Sequence, residues 1–280
     1  MNETMKTGNE IPIDEKESEY FTIQDVFEAK KINGAGLKLK KYDPFIFWDG
    51  MGESWFRMFD NKRKFQVNIG WITDRLKLFR INSLLEVGCG FGRILPFLFQ
   101  AGVIKQAAGI DISPKILKCS EIYFDSAVTK TSVYDDALNI LKDDQIPESV
   151  KNQLSSVLPS LKTKNDALPV KIPADYLDKI FLEPGDVRTL KFESDSFDCV
   201  LSSECLQHLN ETDVIQACGE MLRVSRSLLI VCERWGFPGE HSEPHIWSHN
   251  YSDIFGQLGV KILQVTTIGP AMQGLIIKKY

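Results

Sequence analysis

No apolar run in these 280 residues approaches the ~18 that a membrane-crossing helix needs. The first residues also lack the charged-then-apolar order of a secretory signal. The six cysteines form no CxxC pair and no zinc-ligand spacing. They are therefore expected as buried free thiols in a reducing compartment, the cytoplasm. No GK[ST] sequence follows any glycine cluster, so a P-loop is excluded. Positive charge is also short, with 33 Lys and Arg against 38 Asp and Glu and a formal net charge of −5. That balance argues against a protein that grips nucleic acid by bulk electrostatics.

What remains is an ordinary globular composition, 43% hydrophobic and 25% charged, long enough for one large α/β domain with additions. Its most informative stretch is residues 83–93, SLLEVGCGFGR. Leu84, Leu85 and Val87 read as a buried strand, and Gly88, Gly90 and Gly92 follow at every second position. A helix-like pattern comes next. Glycines permit positive φ and close approach of a ligand to the main chain, and a helix start adds unpaired N–H groups.

Residues 1–19 carry six acidic and two basic residues without apolar periodicity, which predicts a disordered tail. Residues 20–80 read as an N-terminal extension packed on the core. Five lysines fall between Lys30 and Lys41 and suit a solvated face. Residues 42–71 are dense in aromatics, among them Tyr42, Phe47, Trp48 and Trp71, and suit core packing or a pocket wall. Pro44 and residues 49–52 predict a turn there, followed by one or two helices over residues 53–79.

From residue 81 to 280 strand-like and helix-like runs alternate. Strands are predicted at 83–87, 106–110, 179–182, 197–201, 227–232, 260–268 and 272–279. Helices are predicted at 92–101, 113–124, 211–224 and 251–258. Ser113 is the expected cap of the second helix, Thr212 or Asp213 of the third, and Gly259 closes the fourth. This predicts an α/β fold: a doubly wound, mainly parallel seven-stranded sheet with an antiparallel C-terminal hairpin. The 74 residues between Asp111 and Asp186 exceed one strand–helix–strand step. Residues 125–174 are therefore read as an insertion after the second strand and helix.

Three acids fall at predicted strand ends. Glu86 precedes the glycines, Asp111 ends the second strand 25 residues later, and Asp186 follows the third. In a doubly wound sheet these ends open on one crevice. A carboxylate there accepts two hydrogen bonds from a ribose diol, and another accepts from an exocyclic amine such as that of adenine. The dinucleotide pattern G-x-G-x-x-G fails because Arg93 stands at its third glycine position. The spacing is E-x-G-x-G-x-G instead.

With LLEVGCGFGRIL, AGIDIS, GDVRTLKFESDSFDCVLSSECLQHL and the terminal hairpin, the chain resembles the class I, Rossmann-like S-adenosylmethionine-dependent methyltransferases over residues 83–117 and 180–280. The resemblance implies S-adenosylmethionine as cofactor and S-adenosylhomocysteine as product. Glu86, Gly88 and Gly90 would face its amino-acid part, and Asp111 would hold the ribose with Ile112 packed on the adenine. Asp186 and Val187 would meet the adenine edge, and Ser203 the sulfonium or methionyl group. A small-molecule acceptor is expected.

A sulfonium is already a good methyl donor, so placement supplies most of the acceleration, and a general base serves hydroxyl or amine acceptors. The candidates are Glu204 and His208 after the fourth strand, and His241, His245 and His249 after the fifth. Residues 237–247 read as a loop over the pocket mouth. His245 and His249, four apart, could share a helical face toward a metal, yet no third ligand is fixed in sequence and no metal is assigned. Glu193 and Asp195 read as turn residues at the far end of the sheet. Three other readings stay open: an RNA or protein methyltransferase, motivated by the lysines at 30–41 and 62–64; a non-catalytic partner subunit; and a nicotinamide dehydrogenase, which Arg93 opposes.

Overall fold

The structure is a computed structural model that describes residues 41–58, 62–129, 174–236, 241–243, 245–269 and 271–279, with isolated positions elsewhere. The expected tail at 1–19, the lysines before Lys41 and nearly all of the insertion lie outside the described residues.

Strand β1 (Ser83–Val87) is buried at all five positions, as its apolar run dictates. It pairs in parallel with β2 (Gln106–Asp111) and with β4 (Phe197–Ser203). Strand β3 (Ile180–Pro184) extends the parallel sheet beyond β2, and β5 (Ser225–Arg234) extends it beyond β4. Strands β8 (Lys261–Gly269) and β9 (Met272–Lys278) form an antiparallel hairpin that pairs with β5 through β9. The order is β3-β2-β1-β4-β5-β9-β8, the doubly wound, mainly parallel sheet with an antiparallel end that the alternation predicts. Only two residues separate β8 from β9, too few for a helical crossover.

Helices cover both faces. On one, α5 (Glu211–Val224) and α6 (Tyr251–Gln257) bury Val214, Ala217, Met221, Tyr251 and Phe255 against Leu85, Val200 and Leu229. On the other, α2 (Lys62–Leu76) and α3 (Leu95–Gln100) bury Ile72, Leu76, Leu95 and Leu98 against Leu84, Leu201 and Ile230. Trp71 of α2 lies so close to β9 that a Cβ at Gly274 would stand 2.5 Å from its ring, so this contact tolerates no side chain there. Helix α2 is thereby fixed to the sheet.

Several boundaries differ from the sequence reading, each for a local reason. Helix α1 (Pro44–Met58) begins at Pro44, because Asp43 Oδ1 accepts from the Ile46 N–H and proline suits the first helical position. It runs through the expected turn at 49–52 and only kinks at Gly52 (φ 43°, ψ −132°). Helix α3 starts at Leu95 rather than at residue 92, because Gly92 holds a positive φ of 76° that no right-handed helix accommodates. The cap of α5 is Asn210, not Thr212 or Asp213; its side chain accepts from the N–H groups of both. Helix α4 (Pro114–Thr129) keeps its expected cap, with Ser113 Oγ accepting from the Ile116 N–H at 3.1 Å. Asp195, at φ 59°, is a turn residue that accepts from Lys279.

Candidate active site

The C-terminal ends of β1, β2, β3 and β4 open on one cavity of about 320 Å³. Its glycine turn is held by the main chain: Cys89 N–H donates to Ile110 O and Gly92 N–H to Cys89 O, both at 2.9 Å. Gly88 and Gly90 have φ of 64° and 58°, the left-handed region. At Gly88 there is a second demand. A Cβ there would lie 2.3 Å from Cys205 Sγ, so the turn after β1 and the turn after β4 interlock through a missing side chain.

Asp111 ties this turn to β2. Its Oδ2 accepts from Gly90 N–H at 2.8 Å and its Oδ1 from Ser113 N–H at 2.9 Å. Each oxygen keeps a further lone pair for a diol. Burial pushes the carboxyl up to about 6, while those backbone N–H groups pull the other way. Glu86 is 2% exposed, and its Oε2 has no hydrogen-bond partner. Burial pushes it up to about 8, with Arg93 opposing and Asp111 reinforcing the shift. Burial in turn lowers Arg93 to about 10, against the attraction of Glu204 and Glu86.

All eight positions assigned to the cofactor line the cavity: Glu86, Gly88, Gly90, Asp111, Ile112, Asp186, Val187 and Ser203. Asp186 is less free than its sequence role supposes. It accepts from Arg188 Nε at 3.0 Å and Nη2 at 2.6 Å, and Arg188 Nη1 also meets Asp213 at 2.8 Å. Burial works against its charged form, but the hydrogen bonds from Arg188 prevail and hold the carboxyl below its ordinary range.

Three catalytic candidates, Glu204, His208 and His245, line the same cavity. Glu204 follows β4 at φ 61°, a conformation costly for a side chain other than glycine and concentrated at functional sites. Its Oε1 accepts from Asn68 Nδ2 at 2.9 Å. His208 Nδ1 lies 2.9 Å from the His245 carbonyl oxygen. A carbonyl cannot donate, so Nδ1 carries the hydrogen and Nε2 is left as the acceptor of the neutral ring. Gln207 Nε2 lies 3.3 Å from that Nε2, which suits a donor.

The remaining wall is aromatic. Pro44 and Trp48 of α1 line the cavity. Trp48 meets His208 edge-on at 4.6 Å, Phe47 stacks on His245 at 4.6 Å, and the two imidazoles lie parallel at 5.5 Å. The aromatic segment thus forms both core and pocket wall.

Within the expected loop at 237–247 the described residues form a two-stranded ribbon. Strand β6 (His241–Glu243) pairs with β7 (Ile246–Trp247), and His245 and Ile246 reach the cavity from this ribbon. The expected helical face shared by His245 and His249 does not exist, because β7 separates them. His249 is buried, with its Nε2 2.9 Å from Leu209 O. The described residues hold no group of His, Cys, Asp or Glu arranged for a metal. The His241 side chain lies outside the described residues.

Sequence reasoning missed Glu233, fully buried on β5. Its Oε1 accepts from Ser202 Oγ at 2.6 Å and Cys205 N–H at 2.9 Å, and its Oε2 from Gln207 N–H at 3.3 Å. One carboxylate therefore shapes the turn that carries Glu204 and His208. Burial raises it to about 7, against these donors. A glutamate ending the apolar run SLLIVCE was the available cue. Cys89 and Cys205 also line the cavity, but burial pushes both thiols well up, which leaves them without thiolate character. None of the six cysteines is in a disulfide, and five are buried.

A methyltransferase-domain family model matches residues 159–228, from the insertion into β5. No curated protein sequence matches the chain. Among solved structures, a protein of Pyrococcus horikoshii is similar at TM-score 0.53 and 14% identity, over 81% of this chain and 99% of that one. The 1,6-didemethyltoxoflavin-N1-methyltransferase of Burkholderia thailandensis, crystallised with S-adenosylhomocysteine, is similar at TM-score 0.53 and 10% identity, over 83% and 85%. A chain of the Haloferax volcanii complex between the Trm112 methyltransferase activator and a methyltransferase is similar at TM-score 0.53 and 14% identity, over 82% and 93%. At these identities the likeness is one of fold. Sheet order and glycine turn agree with these neighbours on a Rossmann-like fold, and residues 159–228 match a methyltransferase-domain model.

Proposed function

We propose that this protein is an S-adenosylmethionine-dependent methyltransferase acting on a small-molecule acceptor. The observation that carries the reading is the cavity itself, where a glycine turn with positive φ, the buried carboxylates of Glu86 and Asp111, and Asp186 line one space. The orphaned Glu86 Oε2 suits an ammonium group, and Asp111, with a lone pair left on each oxygen, suits a ribose diol. Gly88 and Gly90 let the methionyl part approach the main chain. Ile112 and Val187 offer apolar contact to the adenine, with Asp186 at its edge and Ser203 near the sulfur. S-adenosylmethionine, when bound, supplies an electrophilic methyl group and leaves as S-adenosylhomocysteine.

The chain's own contribution is placement and proton handling. Trp48, Pro44, His245 and Ile246 wall the acceptor side and exclude water. His208 Nε2 takes the acceptor's proton, its ring held by the Nδ1–H bond to His245 O. Glu204 lines the same wall. We further propose residues 81–280 as the catalytic domain, 20–80 as its cap and 1–19 as a tail. Six cysteines with no disulfide among them support a cytoplasmic location, and no described helix is long and apolar enough to cross a membrane.

Calorimetry with S-adenosylmethionine and with NAD tests the reading, with binding expected for the former alone. Asp111→Ala removes the diol acceptor and the tether of Gly90 together, so affinity should fall about 30-fold or more. An unchanged affinity would remove Asp111 from the site.

A further inference from the structure

Resting on the methyltransferase reading, the charge and surface of the acceptor side point further. We infer that the methyl acceptor is a small amine that enters as its ammonium, held by Glu204 against Trp48 and deprotonated by His208. Of the four acids lining the cavity, Glu86, Asp111 and Asp186 serve the cofactor on the proposed reading, which leaves Glu204 as the carboxylate of the acceptor side; Arg93 is the one lysine or arginine among the described lining residues. An ammonium on that side meets the Glu204 carboxylate.

The wall it meets is also suited to it. Trp48 presents aromatic surface to the cavity, and a cation beside an indole is attracted by the ring quadrupole. Glu204 is fixed for this role from two directions. Its backbone sits at φ 61°, stabilised by Glu204 N–H donating to Cys232 O at 3.0 Å, and its Oε1 accepts from Asn68, itself 5% exposed. An ammonium has no lone pair, so it must lose a proton before it can be methylated. His208 supplies the base, because its hydrogen sits on Nδ1 and its Nε2 holds the lone pair, which the ammonium N–H takes over from Gln207 Nε2. The proton moves to Nε2, and the freed nitrogen pair forms the bond to the methyl carbon. The carbon–sulfur pair returns to sulfur, which leaves a methylated ammonium, a thioether and an imidazolium. No further reactant is needed.

The test is calorimetric and needs no turnover. Full-length protein is first titrated with S-adenosylhomocysteine, then, saturated with it, with tyramine and tryptamine and with their carboxylate counterparts 4-hydroxyphenylacetate and indole-3-acetate. At least one amine should bind about tenfold or more tightly than its matching acid, the discrimination expected of one charge-assisted hydrogen bond. Glu204→Gln should erase that preference. Trp48→Leu, which leaves every carboxylate in place, should weaken the amines and leave S-adenosylhomocysteine binding within about threefold. Acids binding as well as amines, or neither class binding while S-adenosylhomocysteine does, overturns the inference alone. Absence of S-adenosylhomocysteine binding removes the methyltransferase reading, and the inference with it.

Discussion

The two halves of the cavity are built in opposite ways. The half proposed for the cofactor comes from strand ends: the turn after β1, Asp111 closing β2, and Asp186 just past β3. Its bonds are short-range within the sheet, such as Gly90 N–H to Asp111, and parallel register places them side by side. The half proposed for the acceptor is assembled from α1, the turn after β4 and the β6–β7 ribbon, where Trp48, His208 and His245 meet across some 200 residues of chain. The first half follows from a fold that many chemistries share. The second depends on side-chain packing particular to this chain, which is where specificity resides.

Substitutions that act on one half and spare the other sharpen this contrast, and the largest expected effect breaks it. Gly88→Ala forces a Cβ into Cys205 at a backbone φ of 64°, so it should damage both halves at once. A loss of about 3 kcal/mol in urea unfolding is expected. A neutral result would mean that the two turns do not interlock.

Glu233→Gln comes next and acts on the acceptor half. An amide cannot accept at both oxygen positions, so one of the Ser202, Cys205 and Gln207 donors loses its partner. The expected cost is about 2 kcal/mol, with faster hydrogen exchange at the Cys205 and Gln207 amides than in the glycine turn. Equal acceleration in both turns would contradict the division.

The cofactor half should announce itself through pH. Glu86 rises from its ordinary 4.5 to about 8 in the folded chain, so the native state holds a proton that the unfolded state has lost between those values. Stability of the ligand-free protein therefore falls as pH rises through that window. Glu233 and Asp111 act in the same direction but finish near 7 and 6, so the interval from 7 to 8 belongs to Glu86. Glu86→Gln should remove a decline of the order of 1 kcal/mol there, measured by urea unfolding at both pH values.

The smallest effect is a control. Asn210→Ala removes the cap of α5 and should cost about 1 kcal/mol in thermal unfolding, with S-adenosylhomocysteine affinity unchanged.

What the sequence alone determined was the sheet and the gathering of Glu86, Asp111, Asp186 and the glycine turn at one cavity. Strand periodicity, glycines at every second position and an acid at each strand end are local patterns, and parallel pairing brings local patterns together without further information. Asn210 as the cap, and the start of α1 at Pro44, were harder to read because neighbouring residues offered equally plausible caps and breaks. Only the tertiary structure decided the rest. Glu233 became the anchor of a turn 28 residues away from it at Cys205, and Arg188 claimed Asp186. His208 received its tautomer from a carbonyl 37 residues further along the chain. These are contacts between side chains with no sequence period to link them, so burial and distance in the folded chain assign their partners.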